Sequence, residues 1–241
     1  MLRRVTGLLC VPYGIDHWQM DAIRLAGLSG RGLDFAAPFP FVMVSDDTLR
    51  LNQLRYQFAS SATGGARDDA ARSILASLLA LCSPWDGTSR AFLASYFRCV
   101  EQALIHDQAL KARAEPFKGL YQPKDWLFSA PAVLPRAHLF APDFGPAKPV
   151  SEADFVAVAM AFRIKGQWLA LISEAHARTP KAYRSQVARL EAQGVAVLDL
   201  PQTQEAQVLD ALADQILIKV GPFWQDDPLP QGPFAPDSLA L

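Results

Sequence analysis

Three residues in the second half of the chain have the types and spacing to build a metal site, Asp154 and Glu174 as its ligands with His176 beside them. Asp154 stands at the mouth of an unbroken apolar run, Phe155 to Phe162. Lys165 and Gly166 turn the chain, and a second apolar run, Trp168 to Ile172, leads into Ser173-Glu174-Ala175-His176. Two such runs joined by a glycine-containing turn read as a β-hairpin. A two-residue type I′ loop needs positive φ at Lys165 as well as at Gly166, whereas a three-residue loop, Ile164-Lys165-Gly166, needs it only at glycine, so the longer loop is expected. Arg163 then lies opposite Gln167, Asp154 opposite His176 and Val156 opposite Glu174, and directly opposite residues share a face. A two-residue loop would send Asp154 and Glu174 to opposite faces instead. In the expected register two carboxylates and an imidazole meet at the open end of the hairpin. Carboxylates that close repel each other unless a cation sits between them, and oxygen ligands beside one histidine suit a hard divalent ion, Mg²⁺ or Mn²⁺.

Cations surround these acids. Between Arg163 and Leu190 stand six basic residues, Arg163, Lys165, Arg178, Lys181, Arg184 and Arg189, against a single acid, Glu174. Thr179-Pro180 supplies an N-cap and a pre-set first helical residue, the helix carries Tyr183, Val187 and Leu190 on one face, and Gly194 stops it. Val195 to Leu200 reads as a third strand. Arg178, Lys181 and Arg184 at the start of that helix are the candidate nucleic-acid contacts, and a metal-activated water beside such cations is the equipment for phosphodiester hydrolysis. The same residues also have a plainer reading, as strand-end acids flanking turns and a solvated helix face.

The order helix, strand, strand with Asp, strand with Glu-x-His, helix, strand resembles the restriction-endonuclease-like PD-(D/E)XK nuclease core, αβββαβ, and the segment LEAQGVAVLDLP resembles the stretch entering its last strand. The resemblance covers about residues 136 to 200. It implies that Asp154 and Glu174 are metal ligands for Mg²⁺ or Mn²⁺ and that His176 stands where the family has its lysine. The chain would then be a metal-dependent endonuclease acting on DNA, or on RNA. Ala153 replaces the family's proline before the acid, and no lysine follows two residues after Glu174; Lys181 is the candidate substitute. Asp143, in a literal Pro142-Asp143 pair, is the second choice for the first acid, and Glu101 the candidate auxiliary helix acid. Without the lysine, the alternative is an inactive nuclease-fold module that binds nucleic acid or a protein partner.

The rest of the chain has to position this stretch. Its 241 residues are 51% apolar and 20% charged, enough for a substantial core without staples. Three cysteines, Cys10, Cys82 and Cys99, show no metal-ligand spacing and read as buried thiols in a reducing, cytoplasmic setting. No apolar run is long enough to span a bilayer, and a net charge of −1 leaves any electrostatic partner to a local patch. Residues 1–125 read as a mainly helical region, 126–220 as the α/β core and 221–241 as a proline-rich tail. In the first region Gly7 to Val11 and Phe41 to Val44 read as short extended pieces, and Asp16 and Ser45 as helix caps. The glycine-rich Gly27 to Gly32 reads as a turn rather than a phosphate cradle. Helices are expected over Asp68 to Leu81 and, as one long element, Ser89 to Ala114, with Glu101 and His106-Asp107 on its exposed face. Arg136 to Ala141 reads as a strand. Thr203 is expected to cap a last helix that buries Val208, Leu212 and Ile216. The tail, with five prolines and three aspartates, has no period and is expected to be disordered or laid over the surface.

Overall fold

The structure is a computed structural model and describes residues 9–15, 41–44, 47–54, 67–141, 154–173, 179–227 and 229–230. It is a mixed α/β fold. The chain divides into two compact units, each assembled from separated segments: Met1–Asp47 with Leu81–Ser83 and Leu134–Gln202, and Thr48–Ala80 with Pro84–Val133 and Thr203–Leu241. The expected helix after Asp16 and the glycine-rich turn at Gly27 to Gly32 lie outside the described residues, as does Ser45.

The first unit holds the sheets. Strands β1 (Leu9–Pro12) and β2 (Phe41–Val44) form an antiparallel pair. A four-stranded sheet has the order β3 (Val133–Phe140), β4 (Phe155–Ile164), β5 (Gln167–Ile172), β6 (Ala196–Asp199). β4 and β5 are antiparallel, β5 and β6 parallel. A parallel neighbour needs a crossover, and helix α4 (Pro180–Ala192) supplies it. Thr179 Oγ1 accepts from Ala182 N at 3.1 Å, as an N-cap should, and Gly194 ends the helix at φ +75°. β3 contains Pro135, which an edge strand tolerates. Its carbonyl accepts from Gly14 N at 2.7 Å. Gly14 sits at φ +67°, and a Cβ there would lie 2.7 Å from Leu81 Cδ2, so this close approach requires glycine. β4 and β5 are buried on both faces along most of their length.

The hairpin loop differs from the expectation. Ile164 pairs with Gln167 and Arg163 with Trp168, so the turn has two residues, Lys165 and Gly166, at φ 48° and 77°. These are the two positive values of a type I′ turn, whose twist matches that of its flanking strands. The left-handed conformation costs Lys165 about 1–2 kcal/mol. What offsets it is cross-strand packing: the Arg163 guanidinium lies 5.4 Å from the Trp168 ring centroid, and Phe162 faces Leu169.

The second unit is helical: α1 (Arg67–Leu81), α2 (Gly87–His106), α3 (Gln108–Ala114) and α5 (Ala206–Val220), with short 3₁₀ turns at Leu51–Leu54, Glu115–Phe117 and Pro123–Ser129. After the expected cap at Ser45 the described structure is the 3₁₀ turn Leu51–Leu54, on which Leu51 and Leu54 are buried. The single long helix is in fact two, because Asp107 closes α2 and opens α3, its Oδ1 accepting from Leu110 N at 2.9 Å. Its carboxylate is therefore a cap rather than an idle surface acid. α5 packs along α2 and buries Leu209, Ala213, Ile216 and Val220, while Val208 faces out, one position from the expected stripe. Thr203 Oγ1 accepts from Glu205 N, one step before the helix begins.

The start of the tail is anchored. Phe223 and Trp224 are buried, Trp224 Nε1 donates to Asp107 Oδ2 at 3.0 Å, and Arg113 donates to the Trp224 and Gln225 carbonyls. Arg50 pairs with both Asp226 and Asp227, and Trp126 Nε1 donates to the Asp227 carbonyl at 3.1 Å.

Candidate functional site

One end of the four-stranded sheet gathers the start of β4, the end of β5 and the end of β6, because β4 runs against the other two. Asp154 is half-buried there, and its carbonyl accepts from Ala141 N at 2.7 Å, just past the end of β3. The adjoining strands are tied by Phe140 and Phe155, whose rings meet edge to face at 5.4 Å. Ser173, the last described residue after β5, is buried and accepts from Gln202 Nε2. Leu200 N donates to the Ile172 carbonyl at 2.7 Å and holds the chain leaving β6 against the end of β5.

Glu174, His176 and Arg178 lie outside the described residues, as does Asp143. The parity that brings Asp154 and Glu174 onto one face belongs to the three-residue loop and is not the observed register: in the two-residue hairpin, position 154 falls opposite 177. The paired ladder reaches only Met160 and Leu171, six residues from Asp154 and three from Glu174. Beyond it β4 runs on to Phe155 and β5 to Ile172 without further pairing between the two.

The cations divide by task. Arg163 stacks on Trp168. Arg189 Nε and Nη2 donate to the Ala141 carbonyl at 2.9 and 2.5 Å, fastening α4 to the end of β3. Lys181 and Arg184 are exposed on the first two turns of α4, and Lys165 is exposed at the opposite end of the hairpin. Leu190 is the one fully buried residue of α4, with Tyr183 and Val187 half-buried.

Two further residues at this sheet end, Tyr183 and Asp199, carry no chemical role in the sequence pattern. Asp199 closes β6 opposite Ile172, and its Oδ1 accepts from the Tyr183 hydroxyl. The pair borders a groove of about 370 Å³ between α4 and β6, in which Arg184 and Glu191 flank Val187 and Val197. The signal for Asp199 is its place as the last residue of a strand in a parallel pair, since the carboxyl ends of parallel strands are where ligands bind. Glu101 belongs to the helical unit, exposed on α2. Among the described residues no three His, Cys, Asp or Glu side chains gather as a metal site requires, and no helix is long and apolar enough to cross a membrane. The chain matches no protein-family model, no curated protein and no solved structure.

Proposed function

We propose that this chain is a metal-dependent nuclease with a restriction-endonuclease-like core, hydrolysing phosphodiester bonds in DNA or RNA. The observation that carries the reading is the meeting, at one sheet end, of Asp154, the strand that runs directly into Glu174-Ala175-His176, and the first turns of α4 with Lys181 and Arg184 exposed. Supporting it is the order strand, strand, strand, helix, strand, with an antiparallel hairpin followed by a parallel fourth strand. Asp154 and Glu174 are the proposed ligands of Mg²⁺ or Mn²⁺, which would polarise the phosphate and lower the pKa of an attacking water. His176 or Lys181 would orient that water, and Arg178, Lys181 and Arg184 would hold the backbone of the nucleic acid.

The two-residue hairpin favours a second reading, a nuclease-fold module that binds nucleic acid or a protein partner without turnover, because it removes the register that paired the acids. Labelled single- and double-stranded DNA and RNA, incubated with Mg²⁺, Mn²⁺ or EDTA, separate the two. For the nuclease, wild type cleaves with metal and not with EDTA, and Glu174→Ala abolishes cleavage while leaving binding intact or tighter, since removing an anion relieves repulsion of the phosphates. His176→Lys, which restores a lysine beside Glu174, should then raise the rate. Binding without cleavage in wild type and in His176→Lys would establish the module. In either case Lys181→Glu with Arg184→Glu should weaken binding across sequences and lower the salt slope by about one for each phosphate that is no longer neutralised. No binding by wild type to any of the four nucleic acids would overturn the nucleic-acid reading altogether.

A further inference from the structure

The helical unit contains a cavity of about 500 Å³ walled by α1, α2 and the 3₁₀ turn Pro123–Ser129. That is within the size range of small-molecule sites, roughly 300–1,000 Å³. On α2 the wall is made by Ala94, Phe97, Arg98 and Glu101, whose spacing of three, four and seven puts them on one face of the helix. Phe97 and Phe128 form an apolar floor, and Leu75 and Leu127 extend it. The rim is charged. Arg98 is committed to Asp210 and Ser95, and Asp125 accepts from Gln122 N at 2.7 Å to close the cap of its own turn. Arg72 and Lys124 also line the rim, each with interactions of its own, and five and three N–H donors respectively let each hold more than one acceptor. Glu101 is the remaining acceptor on the rim.

From this arrangement we infer that the helical unit binds a small organic anion: an apolar, aromatic-sized body on the phenylalanine floor, one anionic group toward Arg72 and Lys124, and an N–H donor toward Glu101. Glu101 disfavours a second anionic group elsewhere on the ligand. A nucleoside monophosphate and an aromatic carboxylate or sulfonate share this chemistry. The site is independent of the proposed nuclease end, which belongs to the other unit.

The test uses the full chain and 8-anilinonaphthalene-1-sulfonate, which carries a fused aromatic body, one sulfonate and one N–H and becomes fluorescent in apolar surroundings. One saturable site is expected. Arg72→Glu with Lys124→Glu should weaken it at least about tenfold, because the charge-assisted hydrogen bonds to the sulfonate are removed. Ala94→Trp, at an exposed position on α2, should fill the cavity and abolish binding. Each variant is checked for unchanged helical circular dichroism. Lys181→Glu with Arg184→Glu should leave dye binding unchanged, so that failure of the nuclease reading and failure of this one are distinguishable. Displacement by adenosine or guanosine monophosphate, against displacement by 1-naphthoate, identifies the ligand source. Absent or unsaturable fluorescence, or affinity unchanged in the charge-reversed variant, would overturn the proposal.

Discussion

Replacing Trp224 with alanine should remove a third or more of the stability of the helical unit. The side chain is 6% exposed, and its deletion costs about 3–5 kcal/mol from lost burial and the cavity left behind. Two polar terms accompany it. The indole N–H donates to the Asp107 carboxylate at 3.0 Å, and the Arg113 guanidinium lies 5.5 Å from the ring centroid. A hydrogen bond to a charged group is worth about 1.5–3 kcal/mol, toward the lower figure here because half-buried Asp107 regains water when the indole is gone. The cation–π contact adds roughly 0.5–1 kcal/mol. Since these contributions share one side chain they do not add fully, and a total near 4–5 kcal/mol is expected, against the 5–15 kcal/mol typical of whole domains. Trp224→Phe separates the parts: burial is largely kept, the donor is lost, and about 1–2 kcal/mol should follow. Equilibrium urea unfolding monitored by far-UV circular dichroism measures both. A cycle with Asp107→Ala, which also removes the cap on α3, should give a coupling of about 1 kcal/mol. If Trp224→Ala shifted stability by less than about 1 kcal/mol, the anchored start of the tail would have no structural role and the burial argument would fail.

Other consequences are as specific. Lys165→Gly should stabilise the hairpin by up to about 1 kcal/mol in the same urea assay, since glycine adopts positive φ without the side-chain clash, and a loss of stability would count against the two-residue turn. Tyr13 and Tyr96 are both fully buried, but the Tyr96 hydroxyl donates to the Pro131 carbonyl at 2.8 Å while that of Tyr13 has no partner among the described residues. Tyr96→Phe should therefore cost about 1 kcal/mol and Tyr13→Phe should be neutral or stabilising, an order that melting temperatures would reveal. The Cys99 thiol is pushed up to about 12 by burial and by the negative charges of Asp214 and Asp210. Cys99 should resist iodoacetamide at mildly alkaline pH by roughly a hundredfold relative to the unfolded chain, as peptide mapping would show, and Asp214→Asn should speed its reaction. Because the folded thiol ionises later than the unfolded one, this group's contribution is constant below the ordinary thiol range and stability falls as pH rises through it.

Local chemistry in the sequence located most elements and failed on how they pair. The apolar runs at Phe155 and Trp168, the Thr179-Pro180 cap and the Gly194 stop were legible because each acts within a few residues, and the strands and helix appear where those signals put them. Register was not legible. A strand buried on one face alternates apolar and polar residues, and that alternation fixes which side is which; β4 and β5 are buried on both faces, so a shift of one residue leaves both faces apolar. Register then depends on the loop, where the steric objection to Lys165 at positive φ, about 1–2 kcal/mol, is outweighed by contacts such as Arg163 on Trp168 that no turn rule contains. Asp107 escapes for a related reason. An aspartate within a periodic helical pattern looks like a surface acid until the chain is seen to break there, and the break is fixed partly by Trp224, 117 residues away.

The basic excess between Arg163 and Leu190 draws attention to the sheet, whereas the helical half reads as scaffold. Ala94, Phe97, Arg98 and Glu101 have the spacing of any amphipathic helix, and nothing in that pattern separates a face that packs from a face that lines a space. The difference arises from what stands opposite. Phe97 and Phe128 are buried while Ala94 remains exposed between them and the charged rim, because three elements meet there without closing. A fully packed junction would fill such a gap with a larger residue, since a void forfeits dispersion energy along its lining. An alanine beside an aromatic floor and an arginine-lysine edge is what remains legible of a binding face once the partner elements are known, and this is why Ala94→Trp is the substitution that probes the cavity most directly.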